Sequence, residues 1–148
     1  ERHVTELDRA LVQRKLATIV RNLRDLAAME GLTLEEYRRD RLRQKGVERL
    51  LQEAIEAAVD VNLHLVRARG AATPPDYYES FLAAGRAGLI PVDLAHQLAP
   101  AAGLRNRLVH EYDAIDDAIV LAAIRDARHQ FAAFVAAIER HLQEPPAA

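Results

Sequence analysis

Residues 40–68, DRLRQKGVERLLQEAIEAAVDVNLHLVRA, carry the longest helical pattern in the chain. Apolar side chains recur three or four residues apart through this stretch, at Val47, Leu50, Leu51, Ala54, Ala58, Val61 and Leu65. That spacing is typical of a helix with one face against a core. Gly46 interrupts the pattern mildly, and Gly70 followed by the Thr73-Pro74-Pro75 break ends it.

The segment before this helix has the same periodicity. Its apolar residues predict a helix from Val4 to about Met29, which Gly31 ends. Thr33 and Glu36 then have the spacing of a capping box, in which each side chain bonds the backbone N–H of the other residue. We therefore expect a short helix or helical turn to start at Thr33.

Three further helical segments follow the long one. A short helix is predicted over residues 76–87, and the final helix over residues 116–142. Between them Pro91 opens a helix, which Pro100 either kinks or ends before another begins. No segment alternates between polar and apolar residues over a useful length, so no sheet is expected.

These patterns predict an all-α fold: a helical bundle of four to five main helices, up-and-down, with short connectors. Half of the 148 residues are hydrophobic and only 5% are aromatic, so the core is expected to be aliphatic, which favours helices. The length suits one domain, over residues 1–143, and residues 144–148 are expected to be a flexible tail.

Composition excludes several classes of protein. The chain has no cysteine, which excludes a disulfide scaffold, a thiolate metal site and a cysteine nucleophile. Its net charge of −2 argues against coating nucleic acid by bulk electrostatics, although a local grip on one RNA stays open. Repeated charges near the start and the lack of a long apolar run predict a cytoplasmic protein with no signal peptide and no membrane association.

One short segment concentrates the side chains that could do chemistry, Arg105-Asn106-Arg107-Leu108-Val109-His110-Glu111-Tyr112. It combines a guanidinium, an imidazole and a phenol within about two helical turns. On an unbroken helix, Arg105 and His110 lie about 140° apart around the axis, whereas Arg105 and Tyr112 share a face. Either the helix is distorted near Pro100 and Gly103, or two subunits combine their residues.

Simpler interpretations of these residues also exist. From spacing alone, Arg105 in a salt bridge and His110 at a helix end are the more economical reading, and Tyr112 could be a packed aromatic. Asp60 and His64, four residues apart on the long helix, are too few ligands for a metal and are better explained as a polar pair at a helix or subunit interface. No metal and no cofactor are expected.

Together with its neighbours, the segment resembles the Arg-x4-His-x-Tyr signature of the HEPN superfamily, and most of all its HepT-like branch of toxins. The resemblance includes residues 33–40, 48–58 and 112–117, and covers most of residues 5–138. It implies a HEPN-like helical bundle that forms homodimers with the two motifs facing a shared cleft. It also implies a metal-independent ribonuclease toxin of a toxin–antitoxin pair, acting on RNA, including tRNA.

The resemblance assigns roles to individual residues. Arg105 and His110 are expected to be catalytic and Asn106 to support them. The antitoxin is expected to be an MntA-like nucleotidyltransferase that attaches AMP to the motif tyrosine, Tyr112. The chemistry of these side chains is compatible, because RNA carries its own nucleophile in the 2′-OH, His110 can take or give a proton, and Arg105 can stabilise the charge of the transition state.

Two other functions are compatible with the same residues. In a non-catalytic HEPN module, the arginine and histidine would hold a nucleotide or a partner without turnover. In a helical scaffold with a decayed site, neither cleavage nor toxicity would remain.

Overall fold

The computed structural model describes residues 7–144, which form seven α-helices and one 3₁₀ turn. The helices are α1 (Arg9–Ala27), α2 (Leu34–Arg38), α3 (Arg41–Ala68), α4 (Tyr77–Arg86), α5 (Val92–Leu98), α6 (Ala101–His110) and α7 (Asp117–Gln143), and the 3₁₀ turn spans Tyr112–Ala114. No strand occurs in the part of the chain that is described, and the all-α prediction is confirmed. Val4 and most of the predicted tail, residues 145–148, lie outside the described residues.

Polar side chains fix where most of the helices begin. The N-cap carboxylates of α1, α3, α4 and α7 each accept a hydrogen bond from a backbone N–H in the first turn, and they belong to Asp8, Asp40, Asp76 and Asp116. The predicted capping box is present, since the N–H of Glu36 donates to Thr33 Oγ1 at 3.1 Å and the N–H of Thr33 donates to Glu36 Oε1 at 3.0 Å. Because Asp8 caps it, α1 begins at Arg9 rather than at Val4.

The two prolines between α4 and α6 act as boundaries. Pro91 precedes α5 instead of occupying its first position, because its ψ of 144° is extended and its carbonyl accepts the bond from Ala95 N–H at 3.0 Å. Near Pro100 one helix, α5, ends and another, α6, begins. Of the two alternatives for this proline, a kink within one helix is therefore wrong and a boundary between two helices is confirmed. Residues 101–110 therefore form a separate helix, whose axis does not have to follow that of α5.

The long helix α3 packs against α1, α4, α6 and α7. Its predicted apolar residues are buried, except for Leu50, which is half-buried. On the other side of α4, the Phe81 ring meets the rings of Phe131 and Phe134 edge-on, with centroids 6.5 and 6.4 Å apart. These contacts place α4 and α6 beside the middle of α3, which is where the polar side chains of the candidate site meet.

No helix among residues 7–144 is both long enough and apolar enough to cross a membrane. The longest helix, α3, carries charged residues throughout its length.

Two glycines are expected to respond to alanine in opposite ways. A Cβ at Gly85, in α4, would lie 2.7 Å from the Cβ of Ala95, so Gly85→Ala should destabilise the protein by about 1–3 kcal/mol through overpacking.

A Cβ at Gly46 meets nothing within 4 Å, and α3 runs unbroken through it. Gly46→Ala should therefore stabilise the protein by about 0.5–1 kcal/mol. Urea denaturation measures both, and a Gly85→Ala variant as stable as the wild type would contradict the close α4–α5 contact.

Candidate functional site

The Arg105 side chain reaches from α6 to α3 and α4. Its Nε and Nη2 atoms both donate to Oε2 of Glu56, at 3.1 and 2.8 Å, and its Nη1 donates to Oδ1 of Asn106 at 3.4 Å. The guanidinium carbon Cζ lies over the Tyr77 ring, 4.7 Å from the ring centroid, a cation–π contact. Only 18% of the Arg105 side chain is exposed. Arg105 therefore does form the salt bridge that spacing alone suggested, and it is a partly buried one.

His110 is in a different environment. It is the last residue of α6, is exposed, and its ring makes no hydrogen bond within residues 7–144. The chain leaves the helix at the next residue, Glu111, whose φ and ψ are −129° and 37°. His110 does not cap the helix with its side chain, so the imidazole is free to meet a ligand or a second subunit.

Within one chain, Arg105 and His110 lie in different environments. Helix α6 is continuous from Ala101 to His110, with no break at Gly103, so the expected alternative of a distorted helix is wrong. Five residues of regular helix place the two side chains about 140° apart. The guanidinium accordingly points to α3 and α4, whereas the imidazole lies exposed at the helix end.

Asn106 and Tyr112 are both exposed. The Asn106 side chain accepts from Arg105, and Asn106 lies one turn before His110 on the same face of α6. The expectation that Tyr112 shares a helix face with Arg105 is wrong, because α6 ends at His110 and Tyr112 begins the 3₁₀ turn. With a relative exposure of 67%, Tyr112 is not a packed aromatic either, and most of the residue is open to solvent.

The turn that carries Tyr112 is anchored where α7 begins. The Asp117 carboxylate accepts from Arg38 Nε at 3.3 Å and from Gln44 Nε2 at 3.0 Å, which ties the start of α7 to α2 and α3. Asp116 caps the same helix through Ala118 N–H. The residues after His110 are thus held against the bundle from their C-terminal side.

The ribonuclease HepT-like family matches residues 6–138 of the chain, a range that contains every one of these residues. The chain belongs to this family. The predicted HEPN and HepT-like resemblance is confirmed.

Individual members of the family align over almost the whole chain. The tRNA nuclease HepT of Aphanizomenon flos-aquae (strain 2012/KM1/D3) is 35% identical over 139 residues, which is 94% of this chain and 95% of that protein. The mRNA nuclease HepT of Shewanella oneidensis is 27% identical over 129 residues, covering 87% and 96% of the two chains.

Solved structures agree with the same family. A chain from a toxin–antitoxin crystal structure with AMP-PNP superposes with a TM-score of 0.80 at 26% identity, over 88% of this chain and 98% of that one. A tri-AMPylated Shewanella oneidensis HEPN toxin, solved in complex with its MNT antitoxin, gives the same TM-score of 0.80 at 26% identity, over 90% and 99%. The helical bundle of this HepT-like chain is therefore the bundle of known HEPN toxins.

The predicted polar pair of Asp60 and His64 is wrong, although both residues do lie at a helix interface. Asp60 Oδ2 pairs with Lys15 Nζ at 2.9 Å, and His64 Nε2 accepts from the backbone N–H of Asp8 at 2.9 Å. Each side chain therefore links α3 to α1 or its cap instead of bonding the other. Within residues 7–144, no group of three or more His, Asp or Glu side chains is arranged to hold a metal ion.

Sequence reasoning missed two residues of the site, Glu56 and Tyr77. Both contact Arg105, and both line an open polar groove of about 420 Å³ whose other charged residues include Lys15, Arg21 and Asp60. A partly buried arginine needs a counter-ion, so an arginine on a packed helix such as α6 indicates that an acidic partner lies nearby. That signal could not name the partner, because Glu56 lies 49 residues before Arg105.

Proposed function

We propose that this HepT-like protein is a metal-independent endoribonuclease and the toxin of a type VII toxin–antitoxin pair. The observation that carries the proposal is its 35% identity to a tRNA nuclease HepT over 94% of this chain and 95% of that one. The likeness to HEPN toxins solved with antitoxins supports the toxin role. An arginine, an asparagine and a histidine on α6 supply the side chains that the reaction needs.

The reaction that these residues suit is transesterification within the RNA. The 2′-oxygen attacks the adjacent phosphorus, the bond from phosphorus to the 5′-oxygen breaks, and the products carry a 2′,3′-cyclic phosphate and a 5′-hydroxyl. His110 removes the proton of the 2′-OH when neutral, or protonates the leaving 5′-oxygen when charged. Arg105 stabilises the extra negative charge of the transition state with its remaining N–H groups, and Asn106 supports it. No metal-bound hydroxide is needed, because the substrate brings its own nucleophile.

A homodimer accounts for the separation of Arg105 and His110. Within one protomer the two side chains diverge, whereas a two-fold axis close to α6 brings Arg105 of one protomer near His110 of its partner. The exposure of Asn106, His110 and Tyr112 leaves this end of α6 available for such a contact. We therefore propose that each active site is completed across the dimer.

The regulation that we propose is AMPylation of Tyr112 by an MntA-like nucleotidyltransferase antitoxin. Its support is a tri-AMPylated relative in complex with an MNT antitoxin, together with the exposure of Tyr112 two residues after His110. Each AMP adds a phosphodiester with its negative charge beside the imidazole. That charge repels an incoming RNA backbone, and the added bulk obstructs the cleft.

The experiment that tests the enzyme is cleavage of tRNA and mRNA by the purified protein, with EDTA and with added Mg²⁺. We expect equal initial rates in both conditions and 2′,3′-cyclic phosphate ends on the products. Loss of cleavage in EDTA would contradict metal independence. No cleavage of any RNA would instead favour the non-catalytic nucleotide- or partner-binding module, and toxicity in cells separates that module from an inert scaffold.

A further inference from the structure

We propose that Glu56 and Tyr77 are positioning residues that orient the Arg105 guanidinium for the scissile phosphate, an inference that rests on the proposed ribonuclease function. Neither residue belongs to the segment 105–112. They lie on α3 and α4, where Glu56 accepts two hydrogen bonds from Arg105 and Tyr77 makes a cation–π contact with it.

The hydrogen bonds of Arg105 leave a defined set of donors for a ligand. A guanidinium has five N–H donors in one plane. Glu56 takes one from Nε and one from Nη2, and Asn106 takes one from Nη1. One N–H on each terminal nitrogen remains without a partner within residues 7–144. These two donors remain available to bond phosphate oxygens.

The orientation of the plane is fixed from two sides. The Glu56 carboxylate holds one edge of the guanidinium, and the guanidinium carbon lies over the Tyr77 ring, 4.7 Å from its centroid. The exposed fractions of the Arg105 and Glu56 side chains, 18% and 30%, place the pair at the surface of the bundle and not in its core. The arginine is thus ordered before RNA arrives, and the entropy of ordering it is not lost in the catalytic step.

The negative charge of Glu56 and the position of its carboxylate have opposite effects on phosphate binding at Arg105. A carboxylate beside the guanidinium weakens the attraction of this site for phosphate, while the same carboxylate aims the free N–H groups. Removing it should therefore lower kcat and leave KM unchanged or lower. A residue that only stabilises the fold would not produce this division between the two constants.

The kinetic test compares Glu56→Ala with Asp60→Ala. Asp60 lies one turn further along α3 and lines the same groove, but it pairs with Lys15 and not with Arg105. We expect Glu56→Ala to lower kcat by about 10- to 100-fold without raising KM, and Asp60→Ala to stay within about threefold. Glu56→Gln keeps an acceptor oxygen and should recover part of the loss. Tyr77→Leu should fall between these variants.

Two kinetic results would overturn the inference. One is a kcat for Glu56→Ala within about threefold of the wild type, and the other is an equal loss in Asp60→Ala. Both variants are assayed below their melting transitions, so that a fraction of unfolded protein does not count as lost kcat.

A second readout does not depend on activity. The Nε–H signal of Arg105 in a ¹⁵N NMR spectrum, assigned by its loss in Arg105→Lys, should exchange slowly with water in the wild type and in Asp60→Ala, and rapidly in Glu56→Ala. Rapid exchange already in the wild type would overturn the inference about Glu56 and Tyr77 and would leave the proposed ribonuclease function untouched. A wild-type protein with a protected signal that cleaves no RNA would overturn the proposed function, and with it the catalytic meaning of the orientation.

Discussion

Arg105→Ala and His110→Ala are each expected to lower the rate of RNA cleavage by about 10²–10³-fold or more. Removing Arg105 leaves the charge that develops on the phosphate without its forked donor. Removing His110 leaves the proton of the 2′-OH or the leaving 5′-oxygen without an exchange partner. Initial rates on a labelled tRNA measure both effects, and growth inhibition on expression should disappear with them.

Matched controls separate the active site from general charge effects. Arg107→Ala removes an exposed arginine from the same helix, and His96→Ala removes an exposed histidine from α5. Both should stay within about threefold of the wild type. Arg105→Lys keeps the charge but loses the forked geometry, so it should recover little activity. Wild-type cleavage by Arg105→Ala or by His110→Ala would remove that residue from the mechanism.

Tyr112→Phe is expected to abolish AMP transfer completely while RNA cleavage continues. The phenylalanine keeps the ring of Tyr112 and removes only the hydroxyl, which is the atom that would accept the AMP. Intact-mass spectra after co-expression with an MntA-like nucleotidyltransferase measure the result. The wild type should gain mass in steps of one AMP, and Tyr112→Phe should gain none.

The control for this variant is Tyr78→Phe, because Tyr78 is also an exposed tyrosine, with a relative exposure of 47% on α4. It should be modified as the wild type is. AMP addition to Tyr112→Phe would contradict the assignment of Tyr112. Toxicity that persists in the modified wild type would contradict silencing by the modification, even if the site is correct.

The helices could be predicted because their signals are local. Asp40, Asp76 and Asp116 cap α3, α4 and α7 at the positions where the periodic patterns begin, and Pro100 separates α5 from α6. Each of these signals acts within one or two turns of the residue that carries it. Side-chain chemistry singled out residues 105–112, and the family resemblance then supplied their expected roles, which composition and periodicity alone did not.

What the sequence could not predict depends on contacts between distant elements. The partner of Arg105 is set by the packing of α6 against α3, and nothing near residue 105 points to Glu56. The end of α6 at His110 agrees with the simpler interpretation of His110 as a helix-end residue, but residues 111–116 contain no glycine or proline that would mark the path of the chain beyond it. The cap of α7 at Asp116 and the anchoring of Asp117 by Arg38 and Gln44 hold this segment instead. As a result Tyr112 lies on an exposed turn and not on the helix face of Arg105.

The central claim is that Arg105 of one protomer and His110 of its partner act on the same phosphate. Mixing the inactive Arg105→Ala and His110→Ala proteins under conditions that exchange subunits tests it most directly. A heterodimer has one site with both wild-type residues and one with neither, so complete exchange should restore about a quarter of wild-type activity. Activity no higher than the sum of the two unmixed variants, with heterodimers present by native mass spectrometry, would contradict the shared site.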